Sequence, residues 1–350
     1  FIDWLEFCGQ LNTIIMEGLV VKVKERSLLF DNIKTVLIIL VVLGHALEEI
    51  SLEHEYGIIR ACIYSFHMPA FIFISGYFSG GGYANESKKI IVNCGIPYFI
   101  FNTIYVIWTE KTFFVNVFLP KYIFWYFFSL LIWRLFINDL KKIKGLWLWA
   151  LLFGLYIGVI READRFMSIS RIIAFFPYFI IGSMLDEERV RKIRRVPKRY
   201  AILLSVLMAC TVILLHINAL VPVKSYENIQ CYNASGMSNL QGIIIRVFSY
   251  GIGFMATLCM INLLPDKKRW YTKYGSRTVV IYVASAFSVK AGYNIIRKIA
   301  GTYYLTQHVG IGFTSAVIIT SATIFIFGNK FCSDIYTQIN RFIGNIVMKN

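Results

Sequence analysis

Charge is what this chain has least of. Asp, Glu, Lys and Arg make up 16% of its 350 residues, where a soluble domain carries about a quarter. Acidic residues are the rarer sign, 20 against 36 Lys and Arg. Hydrophobic residues reach 57% and the mean hydropathy is +0.61. So little charge excludes an ordinary soluble domain and points to an all-α polytopic membrane protein, whose apolar surface faces lipid. The formal net charge of +16 would suggest nucleic acid in a soluble chain. Here the basic residues cluster in short connections, so membrane orientation accounts for them and no nucleic-acid partner is expected.

Other absences narrow the reading further. None of the cysteines at 8, 62, 94, 210, 231, 259 and 332 forms a Cys-x-x-Cys pair, and four fall inside apolar spans. Neither a disulfide framework nor a metal site is expected. No repeat at a fixed period is visible, which weighs against an inverted-repeat transporter. No cleavable signal peptide is expected either: the apolar stretch at 33–47 leads into acidic residues, not a small-residue cleavage site. Residue 1 is Phe, and Met16 opens a run that reads as the expected genuine start, leaving 1–15 as a non-native prefix. The sequons Asn85-Glu-Ser87 and Asn233-Ala-Ser235 carry little weight, since the first belongs on the cytosolic side.

What is there is a series of apolar runs long enough for a bilayer. They lie near 33–50, 56–78, 90–108, 122–138, 146–160, 171–185, 200–216, 243–264, 277–296 and 310–328. The fifth and sixth are short, either little tilted or partly re-entrant. Basic residues load alternate connections: Lys22, Lys24 and Arg26; Lys88 and Lys89; Lys141, Lys142 and Lys144; then 186–199, 265–277 and the tail. That bias predicts ten spans with both termini cytosolic. The expected domains are a cytosolic segment 1–30, a transmembrane domain 31–330 and a cytosolic tail 331–350. The basic run 186–199 is expected to contact anionic lipid headgroups. The longest outer segment, 217–242, either caps the outer mouth, touches an acceptor or is a plain linker.

Ionisable residues inside the spans are costly and mark function. His45 sits deep in the first span, and Lys34 stands eleven residues earlier on the same helical face, about 16 Å away along the axis. A cation at the membrane edge and an imidazole within suit a long anionic cofactor worked on at its far end. Glu48 and Glu49 are the i+3 and i+4 neighbours of His45, so either can reach the ring. A carboxylate there would fix the tautomer and make the far nitrogen a better base. Glu48 is taken for this catalytic role and Glu49 for acceptor binding; the alternative is that both are interfacial helix-end residues. His45 itself has the alternative of a buried histidine bonded to a neighbouring helix.

The second span carries Tyr64-Ser-Phe-His67-Met-Pro69. Pro69 removes the donor to the carbonyl of Ser65, and such breaks persist where backbone lines a cavity or is re-satisfied. His67 beside it either joins His45 in catalysis or braces the kink. Ser75-Gly76 permits close approach, of a ligand or of another helix; on the ligand reading the pair joins Lys34 at the cofactor. Arg171 opens the sixth span, where it either holds an anionic or polyol acceptor or snorkels to headgroups. Trp125 and Tyr126 are expected in an interfacial belt.

Asp31-Asn-Ile-Lys34, Val42-Leu-Gly44-His45, Phe66-His67-Met-Pro69 and Ser75-Gly76-Tyr77 together resemble the acyltransferase 3 family, in its fucose 4-O-acetylase-like branch. Arg171 to Gly182 and Tyr274-Gly-Ser-Arg-Thr278-Val-Val-Ile-Tyr282 resemble later motifs of that branch, so the likeness spans roughly residues 25–330. The resemblance implies an integral-membrane enzyme that takes acetyl from cytosolic acetyl-CoA. It passes the group to a hydroxyl of a glycan or glycolipid across the membrane, in a bacterial plasma membrane. It makes His45 the catalytic histidine and sets Lys34 at the CoA phosphates. On this resemblance many relatives carry a histidine where this chain has Ser285, and no appended hydrolase-like domain is expected. Two rivals stand beside this reading: a transporter using His45, Glu48 and His67 as a proton relay, and a non-enzymatic scaffold of envelope assembly.

Overall fold

The computed structural model describes residues 27–50, 56–79, 87–163, 166–301 and 308–347. The expectations placed on residues 1–26, including Met16 and the basic cluster there, lie outside the described residues, as does Asn85. The described residues are helical with no strand among them. Among the described residues, eight helices are long and apolar enough to cross a bilayer. They are α1 (Leu28–Glu49), the broken pair α2 (Gly57–Tyr64) and α3 (His67–Tyr77), α4 (Ser87–Glu110), α5 (Tyr122–Leu140), α9 (Lys198–Ile217), α11 (Asn239–Leu263), α13 (Thr278–Ala300) and α14 (Val309–Phe327). The two remaining apolar runs are shorter. α6 (Leu146–Tyr156) is extended by a 3-10 turn, and α7 (Ile169–Ser183) meets α8 (Glu187–Arg195) at 90°. Short connecting helices are α10 (Lys224–Glu227) and α12 (Thr272–Gly275), and α15 (Lys330–Val347) closes the chain.

The helices alternate in direction, so the bundle has a Lys34 end and a His45 end. At the His45 end the Tyr56 hydroxyl donates to the Val309 carbonyl at 2.6 Å, and the Tyr232 amide to the Gly158 carbonyl at 2.7 Å. At the Lys34 end Asn32 Nδ2 donates to the carbonyls of Pro265 (2.7 Å) and Lys267 (3.0 Å), and its Oδ1 accepts from Thr272 Oγ1 at 2.6 Å. Arg194 Nη1 there donates to the Leu264 carbonyl at 2.9 Å. These bonds satisfy loop carbonyls that would otherwise be stranded beside apolar surface.

Helix character follows local composition. On α9 Leu203, Leu207, Leu214 and Ile217 are exposed and little besides Ala201 and Val212 is buried. A helix apolar on all sides with an uncovered surface belongs in lipid. α15 is two-faced. Phe331, Ile335, Ile339, Phe342 and Ile346 form an exposed apolar stripe, while Asn340 on the other face donates to the Val92 carbonyl at 2.9 Å. The segment read as a tail is therefore a packed helix with the pattern of one lying in a membrane interface.

Where α3 crosses α7, backbones touch. A Cβ on Gly76 would overlap the Phe179 carbonyl oxygen, and one on Gly182 the Phe73 carbonyl oxygen. The reciprocal glycines let these helices meet as small-residue crossings do. Gly76, placed at the cofactor on the ligand reading, serves this packing, and it does not line the cavity that Ser75 lines.

Candidate active site

Proline chemistry builds the centre of the bundle. Pro69 leaves the Ser65 carbonyl without its helical donor, and the span breaks between Tyr64 and His67, with Phe66 at φ −140°. His67 Nδ1 lies 2.8 Å from the Ile63 carbonyl, which the Phe66 amide also approaches at 3.3 Å. A carbonyl only accepts, so Nδ1 carries the proton. His67 thus braces the kink and still lines a cavity; the structure brings both readings of it together.

That cavity, about 450 Å³, opens at the His45 end and is lined by His45, Glu48, Tyr64, His67, Arg171 and Glu227, with Tyr122, Trp125 and Tyr282 among its aromatic walls. Within α1, His45 Nδ1 lies 3.1 Å from Glu48 Oε2, and the Tyr64 hydroxyl donates to the same oxygen at 3.0 Å. A carboxylate so placed holds the proton on Nδ1 and leaves Nε2 as the basic nitrogen. The imidazole packs 4.9 Å from the Tyr122 ring. Of the two glutamates after His45, Glu48 makes the contact; Glu49 lines neither cavity of the site.

Arg171 lies with its guanidinium 4.8 Å from the Trp125 ring centre, and its Nε donates to the Glu227 carbonyl at 3.2 Å. It faces the cavity rather than solvent. Trp125 is buried in this wall, so it is not a belt residue. Glu227 comes from the long outer connection, whose Tyr226 and Ile229 also line the cavity. Its carboxylate lies 3.8 Å from Arg60 Nη2. Burial, helped by the Glu48 charge, raises the Glu227 pKa above the ordinary carboxylate value, with Arg171 and Arg60 pulling the other way. The connection that the sequence leaves open between cap and linker thus forms part of the wall.

A second cavity of about 360 Å³ lies toward the Lys34 end. Lys34 and Ser75 line it, joined by Asn93, Tyr126, Arg134 and Thr278. Lys34 Nζ pairs with Asp31 Oδ1 at 2.8 Å, and Ser75 Oγ shares a 2.7 Å hydrogen bond with the Tyr126 hydroxyl. Met68 and Tyr282 line both cavities, so the two compartments meet at these side chains. Ser285 is buried and donates to the Tyr282 carbonyl at 2.7 Å. It braces its own helix.

Several contributors escaped the sequence reading. Arg60 and Arg134 are intramembrane cations and carried the same signal as His45. Tyr64 and Tyr282 sat inside the quoted motifs. Tyr122 had no signal: it adopts φ +49°, rare for an aromatic residue, and its buried hydroxyl has no hydrogen-bond partner among the described residues. Such backbone strain clusters at functional sites.

Comparison with known proteins agrees with this geometry. The acyltransferase 3 family, described as an acyltransferase domain, matches residues 28–329. The nodulation protein NolL of Sinorhizobium fredii (strain NBRC 101917 / NGR234) is 43% identical over 61 residues, 16% of this chain. The match spans only 17% of that relative's length. No solved structure matches. The matched family covers both cavities and every helix that lines them save α15, and the chain belongs to the acyltransferase 3 family of membrane acyltransferases.

Proposed function

We propose that the protein moves an acetyl group from cytosolic acetyl-CoA to a hydroxyl of a saccharide, free or lipid-linked, on the opposite face of a bacterial plasma membrane. The observation that carries this reading is the meeting of two cavities at Met68 and Tyr282, one holding a histidine–carboxylate pair and the other two cations. An enzyme using a donor and an acceptor from different compartments needs two mouths and one reacting centre. The Lys34 end in the cytosol fits the basic connections gathered there.

On this reading the inner cavity takes the pantetheine arm and its acyl group, with Lys34 and Arg134 drawing the CoA phosphates toward its mouth. The outer cavity takes the sugar against Trp125, with Arg171 and Glu227 as polar partners. The acceptor hydroxyl oxygen attacks the thioester carbonyl carbon. Its proton passes to His45 Nε2 as the C–O bond forms. The C–S bond then breaks, and the proton leaves His45 for the departing thiolate, giving an ester and free CoA. Glu48 stabilises the imidazolium that forms between these steps. Apolar walls around the reacting carbon limit loss to water.

Membership in an acyltransferase family decides against the relay transporter and the scaffold. The test is the purified protein with [¹⁴C]acetyl-CoA and saccharide acceptors of the cell envelope. Release of free CoA with a labelled ester, abolished in His45→Ala, supports the proposal. Release that persists unchanged in His45→Ala overturns it.

A further inference from the structure

The wall between the two cavities has one anchored side chain and one unanchored, adaptable one. Tyr282 is pinned: its hydroxyl donates to the Ile123 carbonyl at 2.6 Å, and its ring packs 5.5 Å from Tyr126 and 5.6 Å from Phe127. Met68 has no such anchor. It follows the pinned His67 in the first turn of α3, where the helix has only just restarted after its break. Its unbranched thioether has three rotatable bonds and adapts to irregular space. The residue is 8% exposed and lines both compartments, so it fills the gap between them.

We propose that Met68 is the movable part of the partition between the donor and acceptor cavities and sets the length of acyl chain that reaches His45. The inference rests on reading the two cavities as donor and acceptor sites. The physical argument is one of volume. An acyl carbonyl must come within bonding distance of an oxygen held at His45, and its alkyl tail must occupy space beside Met68. The other side chain shared by the two cavities, Tyr282, is held by its hydrogen bond and ring packing, so at the partition the tail displaces Met68. Each extra methylene then meets the thioether. A hydrophobic pocket discriminates such groups by about 10- to 200-fold per methylene. Shortening residue 68 removes that discrimination.

The test uses the full-length protein and a series of acyl-CoA donors from acetyl to hexanoyl, with water as the acceptor. Release of free CoA is followed, less the background of His45→Ala, and donor affinity and turnover are separated. In Met68→Ala the kcat/KM ratio of butyryl-CoA to acetyl-CoA is expected to rise about tenfold or more, while Met68→Leu, close in volume, stays within about threefold of wild type. If Met68→Ala yields no monodisperse protein, Met68→Val serves, with a smaller rise in the same direction. A merely structural role would lower stability without changing the ratio between donors. An unchanged ratio in both shortened variants, beside an active wild type, overturns the partition and leaves the proposed function standing. A wild type with no His45-dependent release of CoA from any acyl-CoA, with water or with a saccharide acceptor, removes both.

Discussion

Glu48 Oε2 receives two donors at once, His45 Nδ1 at 3.1 Å and the Tyr64 hydroxyl at 3.0 Å. One turn of α1 therefore delivers an imidazole whose proton sits on the nitrogen facing the carboxylate. A second helix fixes that carboxylate through Tyr64. The imidazole is oriented by its own helix and by the next one.

Glu48→Gln tests that orientation. The amide keeps the size but loses the charge that stabilises a protonated imidazole, and it can present an N–H to His45. Turnover is expected to fall about a hundredfold, within the range for general base catalysis, with little change in donor KM. Steady-state kinetics with varied acetyl-CoA separate the two. A rise in KM at unchanged turnover would assign Glu48 to binding instead.

Lys34 is paired with Asp31 and stands over the Phe78 ring at 5.5 Å. On the proposed reading it meets the CoA phosphates, away from the reacting carbon. Lys34→Ala is expected to raise the KM for acetyl-CoA about tenfold, a loss near 1.4 kcal/mol of binding, with turnover little changed. Arg134→Ala should act in the same direction. Equal KM values in variant and wild type would count against this end as the donor mouth.

Much of this site was legible in the sequence because ionisable residues are rare within lipid-spanning runs. His45, Glu48, His67 and Arg171 each stood out on that ground, and all four line one cavity. Lys34 and Ser75 line the other. Ser75 and Gly76 carried the same signal yet part company, because helix packing and ligand approach both favour a small residue. Only the partner helix, with Gly182 opposite, decides between them. Glu227 was illegible for another reason: a connection rich in polar residues has no periodicity to aim a side chain, and tertiary folding alone carries it back to Arg60 and Arg171. Of the ten apolar runs, those at 146–160 and 171–185 were marked as short, and they form the short α6 and the helix that turns through 90°.

Gly76→Ala would place a methyl group on the Phe179 carbonyl oxygen. Overpacking of this kind costs about 1–3 kcal/mol. The variant is expected to melt lower in detergent while surviving protein keeps its donor KM. A raised KM at unchanged stability would return Gly76 to the donor site.

Glu227 predicts a pH dependence of stability. Its carboxyl holds a proton more tightly in the folded protein than in the unfolded chain, because burial outweighs the help of the arginines. Stability from that proton is present below the ordinary carboxylate value of 4.5 and is lost as pH rises through the raised folded value. Glu227→Gln removes the titration. Its melting temperature should match wild type near pH 4 and exceed it increasingly toward neutrality. A gap that shrinks with rising pH would reverse the sign.

The central claim is that one imidazole serves two compartments, and sidedness tests it most directly. Acetyl-CoA carrying labelled acetyl is sealed on the Lys34 side of proteoliposomes and saccharide is supplied only on the His45 side. The account predicts labelled ester on the saccharide side with wild type and none with His45→Ala. Ester formed only when donor and acceptor share a side, or formed equally by His45→Ala, would contradict it.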